Sequence, residues 1–467
     1  TVRSTDGLDH IDVCPAHHAK PKAAVCDRFG HDCHCHSRHL DWEPDVTTKV
    51  EPGIVKRSLS AHAAIGLIAG ALLYIVSLTG TIAVFYPEMQ RIEQPGAPEM
   101  RAISPDAVQR GVEAVLASEA GKPTTTHLYV HLPVDELPRA TVTTDTQAVH
   151  LHSNGQISGP EEIAWSDFLV QLHYTLNMPS LVGITIVGIL GVMMLALALS
   201  GVIAHPRIFR DAFRLRARGG GGVGLADWHN RLSVWTLPFS VAIALTGALI
   251  GLGSVTAYAI AANEYGGDIE AVYGPIFGEE SKPDATPAPV PNVAATLRHM
   301  AAKYPDIRLT YAIVHDPLTK GQHVQIVGEH EKRLIFGEYY AFGADGDFHH
   351  MAGLSDGALG RQAAASTYRL HFGNFGGLWV KLAYVLFGVI LTAICATGTY
   401  IWLGKRRRRG MDEPRLRAAW DAVIWGSPAA LLATILARVA FGNNAPLIAI
   451  FWITFAFLIA LKILRAN

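Results

Sequence analysis

The fold is decided by the stretch 370-LHFGNFGGLWVKLAYVLFGVILTAICATG-398, in which His371 precedes a long apolar segment. No Asp, Glu, Lys or Arg occurs between Lys381 and Lys405. An earlier stretch, 172-LHYTLNMPSLVGITIVGILGVMMLALALSG-201, has the same form, with His173 at its start. A charge at the centre of a membrane span costs ~2.5–3.5 kcal/mol on insertion scales, so uncharged stretches of this length indicate helices that cross a bilayer.

The composition extends this interpretation to the whole chain. Of its 467 residues 50% are hydrophobic and only 17% are charged, with a net charge of −1. The alternative, buried helices in a large soluble core, is disfavoured because further uncharged or nearly uncharged stretches recur along the chain. The predicted spans are residues 56–87, 171–206, 229–262, 369–404, 422–441 and 445–464.

Lys and Arg residues predict the orientation of these spans. They cluster in the N-terminal segment 1–50 and the residues just after it, in the loop 207–228 and in the loop 405–421. Cytoplasmic loops carry such an excess, so these segments and the C-terminus should face the cytoplasm. The longer loops, 88–170 and 263–368, should then lie outside. Basic runs also bind nucleic acid, but beside a span they indicate topology, and no nucleic-acid partner is predicted.

An internal repeat organises the first four spans. His62 and His229 each stand 18 positions before the glycine of a Leu-Thr-Gly sequence. His173 precedes Gly201 by 28 positions, and His371 precedes Gly398 by 27. The order span, external loop, span therefore occurs twice, which predicts two halves related by a pseudo-two-fold axis along the membrane normal. Residues 422–464 form a C-terminal hairpin outside the repeat.

Each external loop shows a helical pattern followed by short alternating runs. The Asn-Gly pair at 154–155 and the Asp-Gly pair at 345–346 indicate hairpin turns. The sequence thus predicts an α-helical membrane protein of six transmembrane helices with two small external α+β modules.

The histidines form two levels in the predicted bundle. His173 and His371 lie near the outer face, and His62, His205 and His229 lie near the cytoplasmic face. Two neutral imidazoles saturate a haem iron for electron transfer, so the repeat predicts His173 with His371 at an outer haem and His62 with His229 at an inner one. His205 has Trp402 as its counterpart and is an alternative inner ligand or a hydrogen-bonding neighbour. Interfacial side chains, metal binding without haem and a proton relay are the other interpretations.

Glycines in the spans allow a flat macrocycle to approach the helices, or equally allow two helices to pack closely. They are Gly66, Gly70, Gly183, Gly188, Gly191, Gly247, Gly251 and Gly388.

The N-terminal segment is rich in cysteine and histidine, which suits zinc or an iron–sulfur cluster, although no Cys-x-x-Cys pair occurs. A disordered His-rich tail is the alternative. The predicted metal ligands are Cys14, Cys26, Cys33, Cys35, His31, His34 and His36. Cys395, alone within a span, is interpreted as a packing residue. Since no Gly-rich dinucleotide fingerprint follows a predicted strand, the electron donor should be a separate cytoplasmic molecule.

The two quoted stretches, together with 227-DWHNRLSVWTLPF-239, resemble the PepSY-associated transmembrane family, which includes inner-membrane ferrisiderophore reductases of Gram-negative bacteria. The resemblance covers about residues 56–405. It implies PepSY-type periplasmic modules, two b-type haems, and His62, His173, His205, His229 and His371 at the family's histidine positions. It also implies electron delivery to a ferric siderophore or another ferric chelate, with release of Fe(II).

The function expected from this resemblance is that of a diheme reductase in a bacterial inner membrane. No catalytic side chain is predicted beyond the haem ligands. Two alternatives stay open: a membrane-anchored binding or regulatory protein without redox activity, and a metal transporter that uses the histidines as a pathway.

Overall fold

The computed structural model describes residues 51–211, 223–277, 282–330, 334, 337–352 and 359–466. In chain order, the helices of this part are α1 (Pro52–Ala83), α2 (Tyr86–Glu93), α3 (Pro105–Ser118), α4 (Ala164–Thr175), α5 (Ser180–Ala204), α6 (Ile208–Asp211), α7 (Val223–Trp235), α8 (Leu237–Glu264), α9 (Glu270–Phe277), α10 (Val293–Lys303), α11 (Leu359–Ala365), α12 (Thr367–Phe372), α13 (Gly377–Arg407), α14 (Pro414–Phe441) and α15 (Leu447–Leu464).

The strands are β1 (His127–His131), β2 (Thr141–Thr143), β3 (Ala148–Leu151), β4 (Ile157–Pro160), β5 (Ile307–His315), β6 (His323–His330), β7 (Glu338–Gly343) and β8 (Phe348–Ala352).

Six of the described helices, α1, α5, α8, α13, α14 and α15, are long and apolar enough to cross a membrane. All backbone groups of a helix are paired within the segment, so it can span hydrocarbon without leaving polar groups unsatisfied. The chain is therefore a multi-pass membrane protein, as the charge-free stretches predict.

Two spans begin later than the predicted bounds at residues 171 and 369. Leu176 and Asn177 both have a φ of 55°, which ends α4, and α5 begins only after Pro179. Likewise Gly373 and Gly376 have φ values of 66° and 69° and separate α12 from α13. Left-handed residues terminate helices, and proline favours a helix start. His173 and His371 consequently lie on short helices that precede the spans.

The third predicted span is divided as well. The helix breaks at Thr236, whose φ of −100° and ψ of 5° are not helical, and α8 starts with Pro238 in its first turn. Proline in the first helical turn costs no hydrogen bond, whereas within a continuous helix it would. His229 therefore lies on α7, and the apolar length of the span belongs to α8.

The two long loops join in one sheet. Each contributes four strands, and the strand order is β4-β3-β2-β1-β5-β6-β7-β8. The loops meet where β1 pairs antiparallel with β5, with Tyr129 opposite Ile313 and His131 opposite Tyr311. The sequence predicts strands in each loop but not this seam, because pairing between segments so far apart leaves no local pattern.

One face of the sheet carries the core of this domain. Leu128, Val314 and Phe342 are fully buried there, together with apolar residues of α3 and α10. Both helices begin at a capping side chain: Ser104 accepts from the amide of Ala107, and Asn292 from that of Ala295. Such caps satisfy amides that have no partner within the helix and commonly stabilise it by ~1 kcal/mol.

Glycines hold α5 against α8. A Cβ on Gly188 would lie 2.8 Å from the carbonyl carbon of Gly251, and one on Gly191 would lie 2.9 Å from the amide nitrogen of Ala248. Of the eight glycines predicted to admit a macrocycle, Gly247 alone has a predicted ligand histidine among its nearest atoms. For Gly188, Gly191 and Gly251 the helix-packing interpretation is therefore the correct one.

The C-terminal hairpin of α14 and α15 packs on the bundle through polar contacts. The Trp420 indole donates to the Ala396 carbonyl at 3.0 Å, and the Tyr400 hydroxyl donates to Asp421 at 2.6 Å. At the other end of α14, Arg438 pairs with Glu93 at 2.6 Å. These contacts fix the hairpin to α2 and α13.

Candidate functional site

His173 and His371 face each other at the end of the bundle that leads into the sheet. His173 lies on α4 and His371 on α12, the short helices that connect the sheet to α5 and α13. Their ring centres are 6.1 Å apart and the ring planes differ by 32°. These two residues are called the sheet-side pair.

His62 and His229 form the far-side pair at the other end of the bundle. His62 lies in the third turn of α1 and His229 on α7. Their ring centres are 6.4 Å apart, and the planes are nearly perpendicular, at 87°. Val76 of α1 contacts the sheet-side pair. His62 lies 14 residues before it on the same helix, which is ~21 Å along the helix axis. The two pairs are thus well separated along the bundle.

Nδ1 of each of the four imidazoles lies within hydrogen-bond distance of an oxygen on a neighbouring span. His173 bonds the Val76 carbonyl at 2.9 Å, and His62 bonds that of Leu197 at 3.0 Å. Nδ1 of His371 lies 3.0 Å from the Thr246 hydroxyl, and Nδ1 of His229 lies 2.9 Å from that of Thr397. A carbonyl only accepts hydrogen bonds, and these two hydroxyls donate their own protons within their helices, so Nδ1 carries the proton in each ring and the lone pair lies on Nε2. All four rings are thereby prepared to bind a metal through Nε2.

A glycine lies against each of the four rings, and a hydroxyl contacts three of them. Ser200, Thr246 and Thr397 place a side-chain oxygen 3.2, 3.0 and 2.9 Å from Nδ1 of His62, His371 and His229. The next residue is glycine in every case, and the ring lies against it. A Cβ on Gly80 would lie 2.5 Å from Cε1 of His173, and one on Gly247 would lie 3.0 Å from Cε1 of His371.

The contacts come from four helix segments of one sequence form. Each has an aliphatic residue, a Ser or Thr three positions later, and then glycine. We call them the backing segments: 76-VSLTG-80, 197-LALSG-201, 243-IALTG-247 and 394-ICATG-398. All four glycines occur in the aligned repeat, but their contact with the histidine rings cannot be recognised without the fold. The recurrence of the five-residue form was the available signal.

His205 is placed differently from the four paired histidines. It caps the C-terminus of α5, where its amide donates to Val202 and its carbonyl accepts from Ile208. Within the described ranges no ring contact joins His205 to His62 or His229. The ring contact at this end is the one between His62 and His229, as the symmetry of the repeat predicts.

The remaining residues singled out in the sequence divide into two groups. The cysteines and histidines of residues 1–50 lie outside the described residues, so the predicted N-terminal metal site stays a prediction. Cys395 lies within the bundle, 3.7 Å from the Ser77 hydroxyl. No group of three or more His, Cys, Asp or Glu residues suited to a metal ion occurs in the part of the chain that the structure covers. The two histidine pairs differ from such groups, because each pair offers two donors and not three.

Titratable groups surround the approach to the sheet-side pair. Burial, reinforced by the neighbouring Asp167, raises the pKa of Glu161 to about 7. Tyr86 donates a hydrogen bond of 2.8 Å to Asp167. Burial and the nearby phenols, Tyr368 first among them, raise the pKa of Tyr339 to about 12. Tyr368 lies on α12 three residues before His371, so the sheet and the sheet-side pair share one neighbourhood.

Comparison with known proteins agrees with this architecture. The sequence is similar to an uncharacterised protein of Pseudomonas aeruginosa, with 28% identity over 282 residues. The match covers 54% of this chain and 66% of the relative, just under two thirds of its length. The family profile described as the PepSY-associated TM region matches residues 59–405, which include both histidine pairs and both long loops. The chain belongs to the PepSY-associated TM region family.

Proposed function

We propose that this protein is a transmembrane diheme b-type reductase. It passes electrons from a cytoplasmic donor to a ferric siderophore or another ferric chelate in the periplasm and releases Fe(II). Two facing pairs of imidazoles are the observation that carries the proposal. Their ring centres lie 6.1 and 6.4 Å apart, and Nδ1 is hydrogen-bonded in all four rings.

The separations suit one metal ion between each pair. A metal–imidazole bond is ~2.0–2.1 Å long, so two imidazoles on opposite sides of one metal have ring centres ~6.2 Å apart. Direct stacking of two rings would bring the centres closer. All four histidines are half-buried among the helices. The donor set, two neutral imidazoles at each level, fits a haem iron, which the two histidines of a pair would hold.

Haem would supply a one-electron carrier at each level, and the chain's own residues hold it. His173 and His371 would bind the outer haem, and His62 and His229 the inner one. His205 stays an alternative ligand or neighbour of the inner haem. The backing segments fix the four rings, because a bonded Nδ1 sets both the tautomer and the ring orientation. A zinc or iron–sulfur site in residues 1–50 remains part of the proposal.

The orientation follows from the basic loops. Arg and Lys residues crowd the chain just after α13 and in the loop after α5, so these ends face the cytoplasm of a bacterial inner membrane. The sheet then lies in the periplasm, where both long loops act as PepSY-like modules. The first four spans are the two repeats, related by a pseudo-two-fold axis. The backing segments support this relation, because each repeat supplies two of them.

The reaction transfers one electron to Fe(III) bound by oxygen ligands and yields Fe(II). Hard oxygen donors hold Fe(II) less tightly than Fe(III), so reduction releases the ion. The donor loses one electron for each ion reduced. No side chain has to exchange a proton in this step, and the protein's contribution is to place the outer haem beneath the sheet where the chelate docks.

A spectrum of the purified full chain tests the proposal. We expect a reduced-minus-oxidised difference spectrum of b-type haem with two haems per chain. Reduced protein mixed with a ferric chelate should be reoxidised, and a ferrous-specific chromogenic chelator should trap Fe(II). A colourless protein from haem-supplemented cells would contradict the reductase and favour a binding or transport role.

Substitution of the histidines tests the pairing. His173→Ala or His371→Ala should remove one haem, and His62→Ala or His229→Ala the other. His152→Ala, on an exposed turn of the sheet, is the matched control and should leave both haems in place. Loss of the inner haem in His205→Ala but not in His62→Ala would show that His205 is the ligand.

A further inference from the structure

The hydroxyl groups of the backing segments have two roles in the structure. Thr246 donates to the Ala242 carbonyl of its own helix at 2.7 Å, and Thr397 donates to that of Ala393 at 2.9 Å. A hydroxyl has one proton and two lone pairs, so each Thr can still accept a hydrogen bond. Nδ1–H of His371 and of His229 lies 3.0 and 2.9 Å from these oxygens. Each of these two rings therefore has a hydroxyl as the acceptor for its Nδ1–H.

The arrangement is asymmetric within the sheet-side pair. His371 contacts the Thr246 hydroxyl, whereas the hydrogen bond of His173 goes to the Val76 carbonyl. The hydroxyl of Thr79, the residue equivalent to Thr246, donates back to Ile75 at 2.8 Å and to Val76 at 3.2 Å. Thr246 is thus the side-chain hydroxyl that contacts this pair among the described residues.

We propose that Thr246 and Thr397 are positioning residues that tune the reduction potentials of the two haems, Thr246 the outer and Thr397 the inner. The inference rests on the proposed function, because it concerns histidines that bind haem. A hydrogen bond accepted from Nδ1–H makes the imidazole a more basic ligand. A more basic ligand favours the oxidised iron and lowers the potential. Removal of one acceptor should therefore raise it.

Each threonine should act on one haem only. Thr246 contacts His371, and Thr397 contacts His229, and the two levels are ~21 Å apart along α1. The helix geometry also gives each hydroxyl little freedom, since it is held by its own i−4 carbonyl. The potentials of the outer and inner haems can consequently be set independently by two side chains.

The ring planes make the two haems distinguishable by electron paramagnetic resonance. The π lobes of two parallel imidazoles act on the same iron orbital, whereas those of perpendicular rings act on different ones and cancel. The sheet-side planes differ by 32° and the far-side planes by 87°. The outer haem should therefore give a rhombic low-spin signal, and the inner haem a highly anisotropic one with a larger maximum g value.

The experiment is a potentiometric titration of the purified diheme protein, followed through both signals. Thr246→Val should raise the midpoint potential of the rhombic signal and leave the other unchanged, and Thr397→Val should do the reverse. Thr246→Ser, which restores the hydroxyl, should return the potential towards that of the parent protein. Thr185→Val is the control, since the half-buried Thr185 donates to the Leu181 carbonyl of its own helix at 2.6 Å.

The outcomes separate the two proposals. Two haems whose potentials do not respond to either Val variant would overturn the tuning role while the reductase stands. Equal shifts of both haems in Thr246→Val would show a general structural effect and overturn it as well. If the Val variants fail to fold, Thr246→Ala and Thr397→Ala remove the same hydroxyls with less bulk and should shift the same signals. Absence of haem in the parent protein would overturn the reductase, and the tuning role with it.

Discussion

At the scale of single residues, the glycines of the backing segments make unequal demands. Gly80 leaves no room for a methyl group, because a Cβ would lie 2.5 Å from the His173 ring. Gly398 leaves room for a methyl group, since a Cβ there would lie 3.6 Å from Cε1 of His229, an ordinary contact distance. The same position in two backing segments is therefore not equally sensitive to substitution.

This difference gives a prediction with an internal control. Gly80→Ala should displace His173 and lose one of the two haems, whereas Gly398→Ala should retain both. Overpacking of this kind commonly costs ~1–3 kcal/mol. Haem content per chain, measured on both purified variants, checks the prediction. Full haem occupancy in Gly80→Ala would show that the ring does not rely on this glycine.

At the scale of elements, the sheet carries buried imidazoles that resist protonation. Burial lowers the pKa of His150 to about 4, and burial together with His323 and His127 lowers the pKa of His315 to about 3. Both rings are neutral in the folded sheet, but in the unfolded chain they take up a proton near pH 6.5. Their contribution to stability is therefore present above pH 6.5 and is lost as the pH falls.

We expect the thermal midpoint of the full chain to decrease between pH 7 and pH 5. Each such histidine lowers the free energy of unfolding by ~1.4 kcal/mol for each pH unit below the pKa that it has in the unfolded chain. Glu161 acts in the opposite direction, because its raised pKa lets the folded state hold a proton that the unfolded state releases. His150→Gln should make the pH dependence shallower, and Glu161→Gln should make it steeper. Identical slopes in the two variants would rule out this assignment.

At the scale of the whole molecule, the orientation is the central open prediction. The sheet should face the periplasm, and the loop between α13 and α14 should face the cytoplasm. In spheroplasts, a membrane-impermeant maleimide should label Asn154→Cys, on the β3–β4 turn, without permeabilisation. It should label Asp412→Cys only after permeabilisation. The parent chain shows the background from its own cysteines, and the reverse pattern would invert the direction of electron transfer.

Much of this architecture follows from local sequence patterns. Charge-free stretches predict all six membrane helices, because charge is costly in hydrocarbon. The spacing of His62, His173, His229 and His371 predicts which rings face each other. The partners of Nδ1 are not predictable in this way, because the carbonyls of Val76 and Leu197 carry no side-chain signal. Pro179 and Thr236 are visible in the sequence. The helix breaks at these residues move the helix boundaries by several positions from the predicted ones.

The pairing of β1 with β5, which joins the two loops, cannot be predicted from local patterns for another reason. β1 and β5 pair across 176 residues, and either strand alone has the composition of an ordinary short strand. Only the joined sheet buries Leu128 and Val314 together. Two separate modules and one continuous sheet therefore have the same sequence signature, and the structure decides between them.

The β1–β5 seam has a consequence for biosynthesis. At ~5–20 residues per second, a ribosome needs roughly 9–35 s to make the chain between these strands. During that time the edge of β1 that faces away from β2 has no partner strand, and such an edge can pair with other chains. The nascent protein thus passes through an aggregation-prone stage, and its yield should depend on chaperones that shield β1 until β5 is made.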